Sequence, residues 1–190
     1  MTPSSPTRRA ALGVAGAAAL LLAGCAVTAL PGQSLTVPAD ARFAVLPLSN
    51  ATDVPLVERR AQAITVSLLQ QKGLREVVVY PQKAGDNPLE AEPAVTSAQT
   101  LAWARQQGAR YALSGTVTEW RYKTGVDSEP AVGITLQVAD VSSGQVIWSA
   151  SGGRSGWGYQ ALAAVGQSQI ESLLRGIRVS APTAGVAAKP

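Results

Sequence analysis

The stretch RFAVLPL, Arg42 to Leu48, is a nearly continuous apolar run, and it constrains the fold more than any other part of the chain. A strand that met water on one face would alternate polar and apolar residues, so this one suits burial on both faces. Directly after it, VERRAQAITVSLLQQKG repeats apolar residues at Val57, Ala61, Ile64 and Leu68 and stops at Gly73, the pattern of an amphipathic helix. REVVVY then reads as a second strand. Strand, helix, strand with short links implies a parallel pair and a right-handed crossover.

The acidic, Pro-containing stretch KAGDNPLEAEP reads as a loop, and TSAQTLAWARQQG as a second helix with a Thr/Ser cap and a stop at Gly108. Beyond it the pattern changes to long strands. RYALSGTVTEWRYK is followed by AVGITLQVAD, in which Val132, Ile134, Leu136 and Val138 face one way and Thr135 and Gln137 the other. SSGQ is a tight turn into VIWSAS, which makes an antiparallel meander. YQALAAVGQSQIESLLRGI closes the domain as a helix with Leu162, Val165, Ile170, Leu173, Leu174 and Ile177 on one face. The order is βαβαβββα: an α+β, sandwich-like fold with a mixed five-stranded sheet and helices packed on it.

Residues 1–24 run from a polar start with Arg8 and Arg9, through the apolar stretch Ala10 to Ala23, to small residues before Cys25, the order of a secretory signal. From Cys25 to about residue 40 the chain is rich in Pro, Gly, Thr and Ser and reads as a tether. The globular domain is expected over 41–180, and 181–190 as a disordered tail. The chain has 190 residues, no histidine and one cysteine. That removes His general bases, His-containing metal sites, Ser-His-Asp and Cys-His systems, and any intrachain disulfide. No catalytic residue, metal or cofactor is expected. The formal charge of +4 comes from scattered Lys and Arg, with no basic stripe for nucleic acid.

Two places stand out as candidate sites. In GGRSGWGYQ, Trp157 lies between Gly156 and Gly158 with Arg154 and Tyr159 nearby, a placement poor for a core and good for display to a membrane interface or a sugar. Trp103, Trp120 and Trp148 read as core or sheet-face residues. In RYKTGVDSEPAVG, Asp127 and Glu129 sit near Arg121 and Lys123 around a hairpin tip. Such carboxylates can attract a cationic ligand, catalyse acid/base chemistry in a suitable cleft, or simply be solvated.

LAGC, Leu22 to Cys25, resembles the lipobox of bacterial lipoproteins, whose cysteine becomes the lipid-bearing N-terminus. Acyl chains without a spanning segment mean "anchored to" a membrane. Ala26 stands where an inner-membrane retention signal often carries Asp, so the resemblance implies the outer membrane. RFAVLPLSN, LAWARQQGARYALSGTVTEWRYKTGVDSEPAVG and VIWSASGGRSGWG, after that lipobox, resemble the PelC family, outer-membrane lipoproteins of Pel exopolysaccharide export. The domain order is more distantly similar to LpoB, CsgG and the N-terminal part of TolB, a likeness of fold alone. The PelC resemblance implies a dodecameric homo-oligomeric ring on the periplasmic face of the outer membrane, beneath the exporter PelB. It also implies an aromatic belt towards lipid and an electronegative funnel for a cationic polysaccharide. On that basis Cys25 carries the lipid, Trp157 contacts the membrane, and Asp127 and Glu129 guide the polymer. A ring of identical subunits can line an acidic pore although each subunit is mildly basic.

The alternative is a lipoprotein activator of a peptidoglycan synthase, as in LpoB, which would work as a monomer on a long tether. A carbohydrate-active enzyme using Asp127 and Glu129 is a third class.

Overall fold

A computed structural model describes residues 27–31, 34–82, 95–125 and 128–182. Its elements are β1 (Val27–Pro31), β2 (Leu35–Pro38), β3 (Phe43–Asn50), α1 (Val57–Gln71), β4 (Val77–Val79), α2 (Ser97–Gln106), β5 (Tyr111–Tyr122), β6 (Pro130–Asp140), β7 (Val146–Ser155), α3 (Leu162–Leu174) and β8 (Ile177–Ser180). The five strands expected from the sequence form one mixed sheet. A sixth, β1, extends it, giving the order β1-β7-β6-β5-β3-β4. β3 pairs parallel with both β4 and β5, and the remaining pairs are antiparallel.

The continuous apolar run behaves as its composition demands. Phe43 and Val45 are buried on one face of β3 and Ala44 and Leu46 on the other, because helices cover both faces there. α1 and α3 cover the first face. Between them and the sheet lies the main core, which includes Phe43, Leu113, Val132, Ile134, Leu136 and Val138. α2 covers the opposite face only at its β3 side, where Ala104 packs with Ala44, Leu46 and Ala112. Thr96 and Gln99 form a reciprocal capping box at the start of α2, and Gly108 closes its end with a left-handed φ of 68°.

The rest of that second face is small and polar. Thr135 and Ser151 are joined through their hydroxyls at 2.8 Å, Gln137 donates to the Ser114 hydroxyl at 3.1 Å, and Gly133 pairs with Gly153 across β6 and β7. An antiparallel sheet can leave such a face to water. On the core face α3 makes a close approach: a Cβ on Gly166 would overlap the Trp120 ring, so only glycine lets the helix lie flat on it.

Three expectations need correction. The stretch read as a tether carries two strands: β1 pairs antiparallel with β7, and β2 pairs parallel with β8 as a separate two-stranded sheet. Both are short and contain proline, so their pairing comes from strands far off in sequence rather than from local pattern. Ile177 is buried as expected, but it opens β8 after α3 has ended at Leu174. Trp103 is half-buried at the edge of the smaller cluster, packed edge-on to Tyr80 with ring centroids 5.1 Å apart. Trp120 and Trp148 are buried in the main core.

Candidate functional site

β5 ends, β6 begins and β7 ends at one end of the sheet, and the loops leading to α1 and α3 lie at the same end. There the segment after β7 displays Trp157, 62% exposed, and Tyr159, 86% exposed. The loop is nonetheless well tied. Gly156 N–H donates to the Pro130 carbonyl at 2.8 Å, Trp157 N–H donates to Gln160 Oε1 at 2.9 Å, and Gln160 N–H donates back to the Trp157 carbonyl at 2.8 Å. Gly156 is required by crowding, since a Cβ there would press on the Gln160 amide and on Val165. Its role is close packing, where the sequence suggested flexibility. The indole is held out by a fixed turn.

Tyr122, at the end of β5, is 47% exposed and joins this surface. Its hydroxyl accepts from the Leu162 N–H at 3.1 Å. The residue preceding α3, Ala161, offers no side-chain cap, so a side chain from another strand satisfies an otherwise unpaired helix amide.

The hairpin that carries the predicted acidic pair starts beside these aromatics. Lys123 N–H donates to the Glu129 carbonyl at 2.8 Å, and its ammonium donates to Ser155 Oγ at 2.7 Å. Glu129 is half-buried at the foot of β6. Arg121 pairs with Glu119 at 3.2 Å. Asp127 lies outside the described residues, as does Cys25. The structure thus brings Trp157 and Glu129 to one end of the molecule through the Gly156–Pro130 bond, and it directs Arg121 to Glu119 and Lys123 to Ser155.

Sequence reasoning missed a cleft of about 580 Å³ beside this end. Its lining includes Gly133, Ser151 and Gly153 of the small, polar sheet face, with Asp53 and Glu119 among its side chains. The loop bearing Asp53 is shaped by Asn50, whose amide donates to the Val54 carbonyl at 2.8 Å and accepts from Thr52 N–H at 2.9 Å. A glycine pair across two strands was the one available signal, and it is visible only once the register is known. Among the described residues no group of three His, Cys, Asp or Glu could hold a metal, and no helix is long and apolar enough to cross a membrane.

Comparison with known proteins places this architecture. The family model described as peptidoglycan-synthase activator LpoB matches residues 48–152. Among solved structures, the PelC dodecamer from Paraburkholderia phytofirmans is 36% identical; the match covers 81% of this chain and 99% of that one, with a TM-score of 0.70. A point variant of the same protein gives the same values. The LpoB C-terminal domain from Escherichia coli is 18% identical over 74% of this chain and 94% of that one, with a TM-score of 0.37. No curated protein matches. With more than a third of positions identical across nearly the whole of the PelC relative, the chain belongs to the PelC family, and it carries the domain that the LpoB family model describes.

Proposed function

We propose that the protein is a lipid-anchored, non-catalytic component of Pel exopolysaccharide export. It forms a homo-oligomeric ring on the periplasmic face of the outer membrane and guides a cationic polysaccharide towards the exporter PelB. The observation that carries this reading is the 36% identity to a PelC dodecamer over 99% of that chain. Cys25 carries the lipid, Trp157 meets the bilayer, and Asp127 and Glu129 face the polymer. Support for the membrane role comes from an indole held outward by a hydrogen-bonded turn, a costly display unless something apolar receives it. Support for the guiding role comes from Glu129, which lies half-buried at the foot of β6, at the same end of the sheet as Trp157.

A second reading, activation of a peptidoglycan synthase, is favoured by the family-model match over residues 48–152. Light scattering on the non-acylated domain, over a concentration series and with or without detergent, separates the two. A discrete closed oligomer of high mass is the expected result. A monomer under every condition would overturn the ring in favour of the activator.

A further inference from the structure

The cleft between the Asp53 loop and the polar sheet face has a floor that packing alone does not account for. Gly133 and Gly153 face each other there across β6 and β7. Gly133 has an internal reason to be glycine. β5 carries a bulge between Val117 and Glu119, and it turns Thr118 so that its hydroxyl would lie 2.6 Å from a Cβ at position 133. Gly153 has no such reason. Its backbone is not left-handed, and beyond its chain neighbours a Cβ there would come no closer than 3.4 Å to any atom, the Val132 carbonyl oxygen. The strand would accept a side chain at 153, standing in the cleft. A glycine inside a strand weakens it, and one that packing does not require marks a close approach to the backbone.

The walls show what kind of group fits. Thr118 and Ser151 supply hydroxyls that both donate and accept. Among the described lining residues the charged ones are Asp53, Glu119 and Arg121. Arg121 is bonded to Glu119 at 3.2 Å, so Asp53 is the charge in excess. It is exposed, and its carboxylate has no hydrogen-bond or ion-pair partner among the described residues. The complementary occupant carries one positive charge, several hydroxyls and a flat C–H surface, and fits a volume of about 580 Å³, which is in the range of small-ligand clefts.

We propose that this cleft is a subsite for one amino-sugar unit of a polysaccharide, with the free ammonium on Asp53, the sugar hydroxyls on Thr118 and Ser151, and the ring lying over Gly153. It rests on the reading that the protein handles a cationic polysaccharide, and adds a discrete binding step at residues other than Asp127 and Glu129. An N-acetylated unit lacks the charge that Asp53 recognises and is held more weakly, so the cleft discriminates by degree of deacetylation.

The test is calorimetric titration of the full-length protein in detergent with a glucosamine hexamer and with its fully N-acetylated counterpart, in mildly acidic buffer where the amines are protonated. Asp53→Asn removes the charge and keeps the shape. Gly153→Val fills the floor, and Glu171→Gln, exposed on α3, is the charge-matched control. The expected result is that the glucosamine hexamer binds roughly tenfold more tightly than the acetylated one, and that each cleft variant weakens it by about fivefold while the control does not. Should Gly153→Val fail to fold, Asp53→Asn carries the test alone. Undiminished binding in a folded cleft variant overturns the subsite and leaves the polymer reading standing. An equal loss in Glu171→Gln overturns it in favour of attraction by overall charge, and equal binding of the acetylated hexamer overturns the recognition by Asp53. A cleft variant whose mass by light scattering falls below that of the unaltered protein also overturns it, and assigns the cleft to a second copy of the chain. Failure of the unaltered protein to bind either hexamer overturns the polymer reading itself, and the subsite with it.

Discussion

The two ends of the sheet are built from the same strands and finished in different ways. At the β6–β7 turn the Asp140 carboxylate accepts from the Ser142 hydroxyl and from the Ser143 N–H, the latter at 3.0 Å, and Gly144 takes a left-handed φ of 73°. Close by, β2 and β8 pair, and Arg42 joins Glu76 at 2.8 Å and the Gln107 carbonyl at 2.9 Å. At the other end the loops are also hydrogen-bonded, yet they leave Trp157, Tyr159 and Tyr122 in solvent. Backbone satisfaction is thus common to both ends; what separates them is the kind of apolar side chain shown, the aliphatic Val146 and Ile147 at the turn end and aromatic rings at the other. Trp157 stands on a hydrogen-bonded turn, so its exposure cannot be put down to a slack loop.

The contrast can be broken most severely at Trp120, the buried tryptophan of the aromatic end. Trp120→Ala should cost about 3–5 kcal/mol, since it removes the ring on which α3 rests at Gly166. Urea denaturation of the non-acylated domain measures it. A smaller effect is expected at the opposite end, and only in acid. Hydrogen bonds from the Ser142 hydroxyl and then the Ser143 N–H hold the Asp140 carboxyl at about 2, below the ordinary 3.8. A depressed carboxyl stabilises the fold above its unfolded-state value and loses that contribution as the proton binds. The stabilisation should therefore be complete above pH 3.8 and fade towards pH 2, and Asp140→Asn should flatten this part of the stability profile. Denaturation midpoints taken across that window check it; an unchanged slope in the variant would remove Asp140 from the turn's stability. The smallest effect sharpens the comparison from the other side. Trp157→Ala should change folding stability by no more than about 0.5 kcal/mol, because the indole is largely in solvent. A larger loss in the same urea experiment would mean that the indole packs on its own domain.

What was legible in the sequence was whatever a local period encodes. The alternation at Val132, Ile134, Leu136 and Val138 predicted four buried side chains, and all four are buried. The repeat beginning at Val57 and Ala61 marked the buried face of α1, though Ile64 is only partly covered. The glycine-flanked Trp157 was legible as a displayed residue, but for the wrong local reason, since Gly156 is dictated by contact with Val165 and Gln160. Illegible were features set by strands meeting from afar. Neither β1 nor β2 has a period long enough to register, and Asp53 and Glu119 share a cleft only because β3 and β5 are neighbours.

The register of β1 also decides how the domain bears a load. A pull on the chain ahead of Val27, directed out of the aromatic end, acts along the strand axis. The five residue pairs from Val27–Arg154 to Pro31–Ala150 then resist side by side in shear, where a force across the strands would peel them apart one after another. Behind them the parallel pairing of β2 with β8 stands in series as a second hold. Detachment of the N-terminal segment under tension therefore requires the whole first set to give way at once.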